Sequence, residues 1–438
     1  MGARDTVRSI FAKGLDQGGG AVAVAPSTVT PRVTKNVGPS QDSPGGPLAV
    51  LKSMFTRNLR QSGIYIAFVL IVVLFAFLTD GILLTPQNVT NIVVQNSYIL
   101  ILAIGMVIVI IAGHIDLSVG SVVAFTGAVA GVLTVRQGLP WWAGVLGALV
   151  VGALVGAWQG YWVAFVGIPA FIVTLAGMLI FRGATMVTLG NTQISPFPDA
   201  FRNIASGYAN GWLGGNGFDI FTLVIGAIGA VGFAASQYRS RRARIAYQQN
   251  VESVAMFVAR VALMAVVTMA FAWELANYKG LPIVLVILAF LILVYSAITK
   301  RSVFGRHVYS IGGNLNAAML SGIKVKWVNF WIFVNMGVLS GLAGVVFTAR
   351  LNLANPKAGS GFELDAIAAC FIGGAAVTGG VGTVVGTIAG GLIIGVMNNG
   401  MSIMGVGSDY QQAIKGLVLL LAVAFDVYNK RRAGAAAR

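Results

Sequence analysis

The polar groups able to do chemistry are few, and they stand in long apolar stretches. The first set lies in Ala112-Gly-His-Ile-Asp-Leu-Ser-Val-Gly-Ser121. There Gly113 can break a helix, and the Asp116 carboxylate, beside Ser118, can accept from the free N–H groups that open the next one. A carboxylate at membrane depth is costly, so Asp116 needs either that capping role or a place on a solute path. Both roles are open on the sequence. The same two roles fit Glu363 and Asp365, which with Ser360 and Gly361 open a second segment of similar design. A neutral set follows: Trp158 and Gln159 in one Gly-rich stretch, Asn398 and Asn399 in another. Amide and indole groups exchange hydrogen bonds with hydroxyls without the grip that an ion demands, which suits a wet path for a neutral solute. Hydrogen bonding between helices accounts for them equally well.

Other chemistry is excluded. The chain contains no Gly-x-x-x-x-Gly-Lys-Ser/Thr, so it has no phosphate-cradling loop with which to hydrolyse ATP. His114 and His307 are the only histidines and stand far apart. No nucleophile, base and orienter set can be assembled, and no metal or catalytic residue is assigned. A lone membrane histidine such as His114 is more often packed than a proton relay. Cys370, the single cysteine, excludes an intrachain disulfide and reads as packing.

The elements that position these groups must be membrane helices. Of 438 residues, 57% are hydrophobic and 10% charged, against roughly a quarter charged in a soluble domain. The apolar runs are continuous, without the polar residue at every second position that a barrel requires. Lipid leaves helices as the other solution, so the fold class is all-α, a polytopic membrane bundle. Hydropathy places spans near 64–79, 91–111, 118–135, 142–163, 168–188, 213–235, 254–273, 281–298, 328–349, 364–378, 383–400 and 411–428. That makes about twelve membrane segments (10–12), of which 118–135 and 364–378 are short enough to be half-helices.

The net charge of +16 sits in clusters that flank apolar runs. It is not interleaved with aromatics on a soluble face, so nucleic acid is not an expected partner; the lipid bilayer is. Lys52, Arg57 and Arg60; Arg239, Arg241, Arg242 and Arg244; Lys300, Arg301, Arg306, Lys324 and Lys326; and Lys430, Arg431 and Arg432 all fall on one side of a twelve-span count. The positive-inside rule makes that side the cytoplasm, with both termini there and the loop 189–212 outside.

Residues 1–60 read as a disordered basic cytoplasmic tail without the apolar core of a cleavable signal, 61–430 as one membrane domain, and 431–438 as a cytoplasmic tail. The domain repeats itself. A helix, an acidic turn and a Gly-rich helix occur in about 91–188 and again in about 328–428, joined by linking spans at about 213–298 and a cytoplasmic segment at about 300–326. Gly156-Ala-Trp-Gln-Gly160 pairs with Gly395-Val-Met-Asn-Asn-Gly400. Three intervening spans would give the copies opposite polarity, the inverted internal repeat of transporters. Small-xxx-small faces at Gly152, Gly156 and Gly160, at Gly382, Gly386 and Gly390, and at Gly391 and Gly395 point to close helix packing.

The segment 300–326 reads as a basic anchor, a glycine turn at Gly312-Gly313 and a short helix opened near Asn314 and closed by Gly322. It suits docking of a partner or lying on the membrane surface.

With these motifs in hand, the sequence resembles the permeases of ribose- and xylose-type ABC sugar importers of bacteria over about residues 60–430. The resemblance is carried by Ile115-Asp-Leu-Ser-Val-Gly-Ser121, Ile168-Pro-Ala-Phe-Ile-Val-Thr-Leu-Ala-Gly177, Ile311-Gly-Gly-Asn314, Leu320-Ser-Gly-Ile323 and Glu363-Leu-Asp-Ala-Ile-Ala-Ala369. An additional hairpin at about 245–300 makes it look closest to the xylose and multiple-sugar branch. The resemblance implies an inner-membrane permease without an ATPase site of its own, a second permease copy, a cytoplasmic ATPase subunit that uses ATP, and a periplasmic sugar-binding protein. It implies that no cofactor is bound by this chain. It also makes Ile311–Ile323 the coupling helix, with Gly313, Asn314, Ala317, Leu320, Ser321 and Gly322 at the ATPase. An ion-coupled secondary sugar transporter and a passive channel are the rival readings.

Overall fold

A computed structural model describes residues 59–436 apart from 216 and 250. The tail expected over residues 1–58 lies outside the described residues. The described chain is mainly helical, with a two-residue antiparallel pairing of β1 (Tyr208–Ala209) with β2 (Leu281–Pro282). The order is α1 (Leu59–Leu78), α2 (Pro86–Ile111), α3 (Val119–Gly131), α4 (Trp141–Tyr161), α5 (Ala170–Leu189), α6 (Asp199–Ser206), α7 (Ile220–Ala246), α8 (Val254–Ala276), α9 (Ile283–Arg301), α10 (Val303–Gly313), α11 (Leu315–Leu320), α12 (Val325–Leu351), α13 (Phe362–Ile372), α14 (Val384–Ile403) and α15 (Ser408–Ala436). Wider turns extend α3 to Arg136 and α4 to Val166. Helix α15 runs on through residues 431–436, where the sequence places a tail.

Among the described residues, nine helices are long and apolar enough to cross a membrane. These are α2, α3 and α4 with their extensions, α5, α7, α8, α9, α12 and α14. The other three of the twelve expected segments fall on α1, α13 and α15. Helix α13 has 11 residues. At 1.5 Å per residue it reaches about half of a hydrocarbon core of roughly 30 Å.

Two breaks interrupt the bundle, and local residues cause both. Helix α2 ends at Gly113, whose φ of 86° suits glycine, with His114 N–H returned to the Val109 carbonyl at 3.0 Å. The chain then runs without helix to Ser118, where α3 begins. Helix α12 ends at Asn352, which holds φ 57°, and Leu353 N–H returns to the Thr348 carbonyl at 3.3 Å. A second non-helical leg leads to Gly361 and α13.

The packing crosses between the halves of the chain. Helix α12 lies on α4, α3 and α2, and α2 lies also on α14 and α13. Glycines set these distances. A Cβ on Gly152 would overlap the Gly337 carbonyl oxygen, and one on Gly337 would overlap the Gly152 carbonyl oxygen; a Cβ on Gly390 would stand 2.6 Å from Gly373 N. The backbones touch with no side chain between them, as small-xxx-small faces allow. Gly382, expected on the same stripe as Gly386 and Gly390, stands ahead of α14 and packs on Ile111 and Val107 instead.

The outlying pair is α7 and α8, which pack on each other and leave 11% and 6% of their apolar windows buried. The stretch at about 245–300, where the sequence places an additional hairpin, holds α8 and α9. Helix α9 belongs to the core, because Val284, Leu288 and Leu291 are buried and the helix lies on α2. Asp219 caps α7 by accepting from Thr222 N–H at 2.9 Å.

The two ends of the bundle differ. At one end, Arg136 donates to the Leu189 carbonyl at 2.7 Å and Ile194 bridges to Ala354, so the loop after α5 closes over the end of α12. At the other end, α10 lies against the last residue of α2, and α11 leads on into α12. The 27 residues of α12 put about 40 Å between these ends.

Candidate functional site

The start of α3 is held by a chain of side chains. Asp116 Oδ1 accepts from Ser118 N–H at 2.8 Å and from the Ser118 hydroxyl at 2.6 Å, and that hydroxyl accepts from Gln159 Nε2 of α4 at 2.7 Å. All three residues are at most 2% exposed. Ser121 donates to the Ser118 carbonyl at 2.7 Å, and Thr174 of α5 donates to the Ile115 carbonyl at 3.3 Å. Gly177 admits the amide, since a Cβ there would stand 2.7 Å from Gln159 Nε2. Three helices therefore converge on one turn. The expected cap is corrected in detail: the carboxylate closes on Ser118, ahead of the helix, in an Asx turn, and not on the free amides of the first turn.

The second leg comes to the same place. A Cβ on Gly359 would overlap the Gly120 carbonyl oxygen, and one on Gly120 would touch Glu363 Oε2, so the N-termini of α3 and α13 face each other. Arg182 of α5 donates to the Ala358 carbonyl and ties α5 to this leg. Glu363 and Asp365 lie in the first turn of α13, where carboxylates complement the helix dipole. Asp365 turns toward α15 and pairs with Lys415 at 3.0 Å.

The remaining expected residues stand apart from this junction. Asn399 spends its amide on Asn88 in a reciprocal pair at 2.7 and 3.0 Å, clasping α14 to α2. Asn398 takes no part in that clasp. Trp158 faces away from Gln159, is 38% exposed and packs edge-on against Phe181 and Trp162. The structure thus unites Asp116, Ser118, Gln159 and Glu363, and disperses Trp158, Asp365, Asn398 and Asn399. Arg182, Lys415 and Asn88 escape the sequence reading. For the two cations a signal exists, a single charge inside an apolar helix.

The opposite end bears an outward helix. Asn314 Oδ1 accepts from Ala317 N–H at 3.0 Å and opens α11; Gly322, with φ 79°, follows its end. Ser321 donates to the Ala317 carbonyl at 2.8 Å. Ala318 is buried while Leu320 is 90% exposed and Leu315 and Met319 about half exposed, so α11 stands on Ala318 and presents its apolar side chains outward. Gly312 and Gly313 are not a turn. They finish α10, which Ser302 opens by accepting from Gly305 N–H at 2.9 Å. Tyr309 donates to the Gly382 carbonyl at 2.6 Å, and burial pushes its phenol above the ordinary value, so it is a donor throughout the physiological range.

Broken helices meeting within an apolar bundle, small-residue crossings and a capped helix held out at one end define a polytopic transport protein. The family model described as branched-chain amino acid transport system / permease component matches residues 88–423, and the chain belongs to that family. It is 40% identical over 375 residues to the xylose transport system permease protein of Haemophilus influenzae, covering 86% of this chain and 98% of the relative. It is 40% identical over 387 residues to the protein of that name in Escherichia coli strain K12, covering 88% and 96%. To the ribose import permease protein of the same strain it is 36% identical over 349 residues, covering 80% and 87%. No solved structure is a significant match.

Proposed function

We propose that this chain is the permease subunit of an ATP-binding-cassette importer that moves a monosaccharide, xylose or a related sugar, across the bacterial inner membrane. Two copies work with a separate cytoplasmic ATPase, which binds and uses the ATP, and a periplasmic sugar-binding protein delivers the substrate. The observation that carries this reading is α11, a capped helix whose Leu315, Met319 and Leu320 face outward at the end of the bundle where a partner can reach them. Similarity over nearly the whole of permeases named for xylose and ribose supports the substrate class. The solute path is assigned to the junction of Asp116, Ser118, Gln159 and Glu363, where non-helical backbone at depth is tolerated because it lines a cavity or is covered by protein.

The topology that goes with this function has twelve crossings, both termini in the cytoplasm and two repeats of opposite polarity. Nine long helices plus α1, α15 and α13 together with the non-helical leg that precedes it supply the crossings. Single cysteines at residues 242 and 316, both exposed, of a Cys370→Ser background should resist a membrane-impermeant thiol reagent in intact cells, while one at residue 203 reacts. Labelling at 242 without labelling at 316 would end the twelve-crossing topology.

An ion-coupled sugar transporter is the rival. It needs a free carboxylate to take up and release a proton or sodium; Asp116 is engaged by Ser118 and Asp365 by Lys415, which leaves Glu363 as the junction carboxylate for that role. In proteoliposomes with the ATPase and binding protein, sugar accumulation is expected to require ATP and to survive an uncoupler. Accumulation driven by an ion gradient without the ATPase would decide for the rival.

A further inference from the structure

We infer that Gly312 and Tyr309 form the joint through which movement of α10 and α11 reaches the break after α2 and the link between α13 and α14 at once. The assignment of that movement to an ATPase rests on the importer reading above; the joint itself rests on backbone contacts.

Three segments meet at one peptide. A Cβ on Gly312 would overlap the carbonyl oxygen of Ile111, the last residue of α2, and would stand 2.6 Å from Gly380 N. The Ile111 carbonyl already accepts from Gly380 N–H at 2.8 Å. Gly379 and Gly380 hold φ of 79° and 73°, and a Cβ on Gly379 would stand 3.1 Å from both Gly113 Cα and Gly312 O. One on Gly380 would stand 2.9 Å from Gly313 Cα. A turn earlier on α10, Tyr309 bonds the Gly382 carbonyl at 2.6 Å.

Each contact leads to a different leg. Gly113 begins the non-helical stretch that carries Asp116 and Ser118 to the start of α3. Residues 373–383 form the link that leaves α13 and enters α14. Helix α10 touches both with backbone against backbone, and no rotatable side chain lies between them to absorb a shift. Displacing α10 must therefore displace the end of α2 and the link from α13 into α14 together. Packed elements with discrete arrangements carry coupling in this way. The other route out of α11 is covalent, through Gly322 into α12, and it bypasses the joint.

Two variants separate the routes. Gly312→Ala inserts a methyl group into the three-way contact; Tyr309→Phe removes only one hydrogen bond and retains the ring. In proteoliposomes containing the permease, its ATPase and the binding protein, both variants should co-purify with the ATPase and hydrolyse ATP at a rate near that of the unaltered complex. Sugar moved per ATP should fall about tenfold in Gly312→Ala and several-fold in Tyr309→Phe, the range of ordinary coupling energies. Hydrogen exchange on the permease alone gives an arm that needs no ATPase. Amides of residues 114–118 and 379–382 should exchange faster together in both variants, while those of α7 and α8 stay unchanged. Should Gly312→Ala fail to fold, Tyr309→Phe decides. Unchanged sugar per ATP in Tyr309→Phe, with unchanged exchange in both legs, overturns the joint and leaves the covalent route through α12. If the unaltered protein shows no ATP-driven uptake, the importer reading falls, and the exchange arm still decides for or against the joint.

Discussion

Replacing Leu320 by Asp is expected to abolish ATP-driven sugar uptake while leaving the permease inserted and folded. Leu320 is 90% exposed on a six-residue helix whose Asn314 cap and Gly322 lie outside the substituted position. Among the described residues its side chain is left almost wholly uncovered, so the bundle tolerates the change. A partner that covers this side chain gains about 1.5–3 kcal/mol from burying a leucine. Asp forfeits that gain and adds an unpaired charge in an apolar groove. At 1.4 kcal/mol per tenfold, the loss of the leucine alone weakens assembly by about 10- to 150-fold. Co-purification of the ATPase through a tag on the permease measures this, with thermal melting of the detergent-solubilised permease as the control for folding. Leu320→Met, which keeps the apolar contact, should bind within a few-fold of the unaltered protein. Full uptake by Leu320→Asp would remove α11 from the interface.

The class of fold was legible because membrane composition admits few alternatives. Continuous apolar runs leave only helices, and Gly113 and Gly361 mark the two breaks directly in sequence. The capped α11 was equally plain from Asn314 and Gly322. What the sequence withheld was partnership. A small-xxx-small face announces a close crossing without naming the helix that crosses it, so Gly152 gives no hint of Gly337. The Asn88–Asn399 clasp joins residues 311 positions apart and leaves no local trace. Hydropathy likewise cannot rank α7, α8 and α9, because lipid and protein interior are equally apolar solvents for a leucine. At the site, polarity marks Asp116, Ser118 and Gln159, but it marks equally Trp158, which packs on Phe181, and Asn399, which pairs with Asn88. The glycines of α10 were read as a turn because two in succession usually are one. Their use as a contact surface depends on Ile111 and Gly380, distant in sequence.

The second large effect is expected at Asp116, and a pair of substitutions separates a structural carboxylate from a charged participant. Asp116 Oδ1 alone receives both the Ser118 N–H and the Ser118 hydroxyl. That hydroxyl in turn holds Gln159, so the residue orders the turn that starts α3 and fixes it to α4. Asp116→Ala leaves a buried N–H and a buried hydroxyl without an acceptor, at about 1–3 kcal/mol for each group so abandoned. The turn should loosen, and uptake per inserted permease should fall tenfold or more. Asp116→Asn supplies an oxygen at the same position, with its NH2 directed away from Ser118, and keeps both bonds. Its uptake should stay within about threefold of the unaltered protein, because a neutral acceptor forms the Asx turn as well as a charged one. Uptake is to be measured at equal amounts of permease in the membrane and equal ATPase occupancy, so that loss of assembly is not counted as loss of transport. If Asp116→Asn is as impaired as Asp116→Ala, the negative charge itself is required, and the carboxylate acts on the solute or on a cation that accompanies it. Equal and normal uptake by both variants would free Asp116 of either role and shift the burden of the junction to Glu363, the carboxylate that faces it across Gly120.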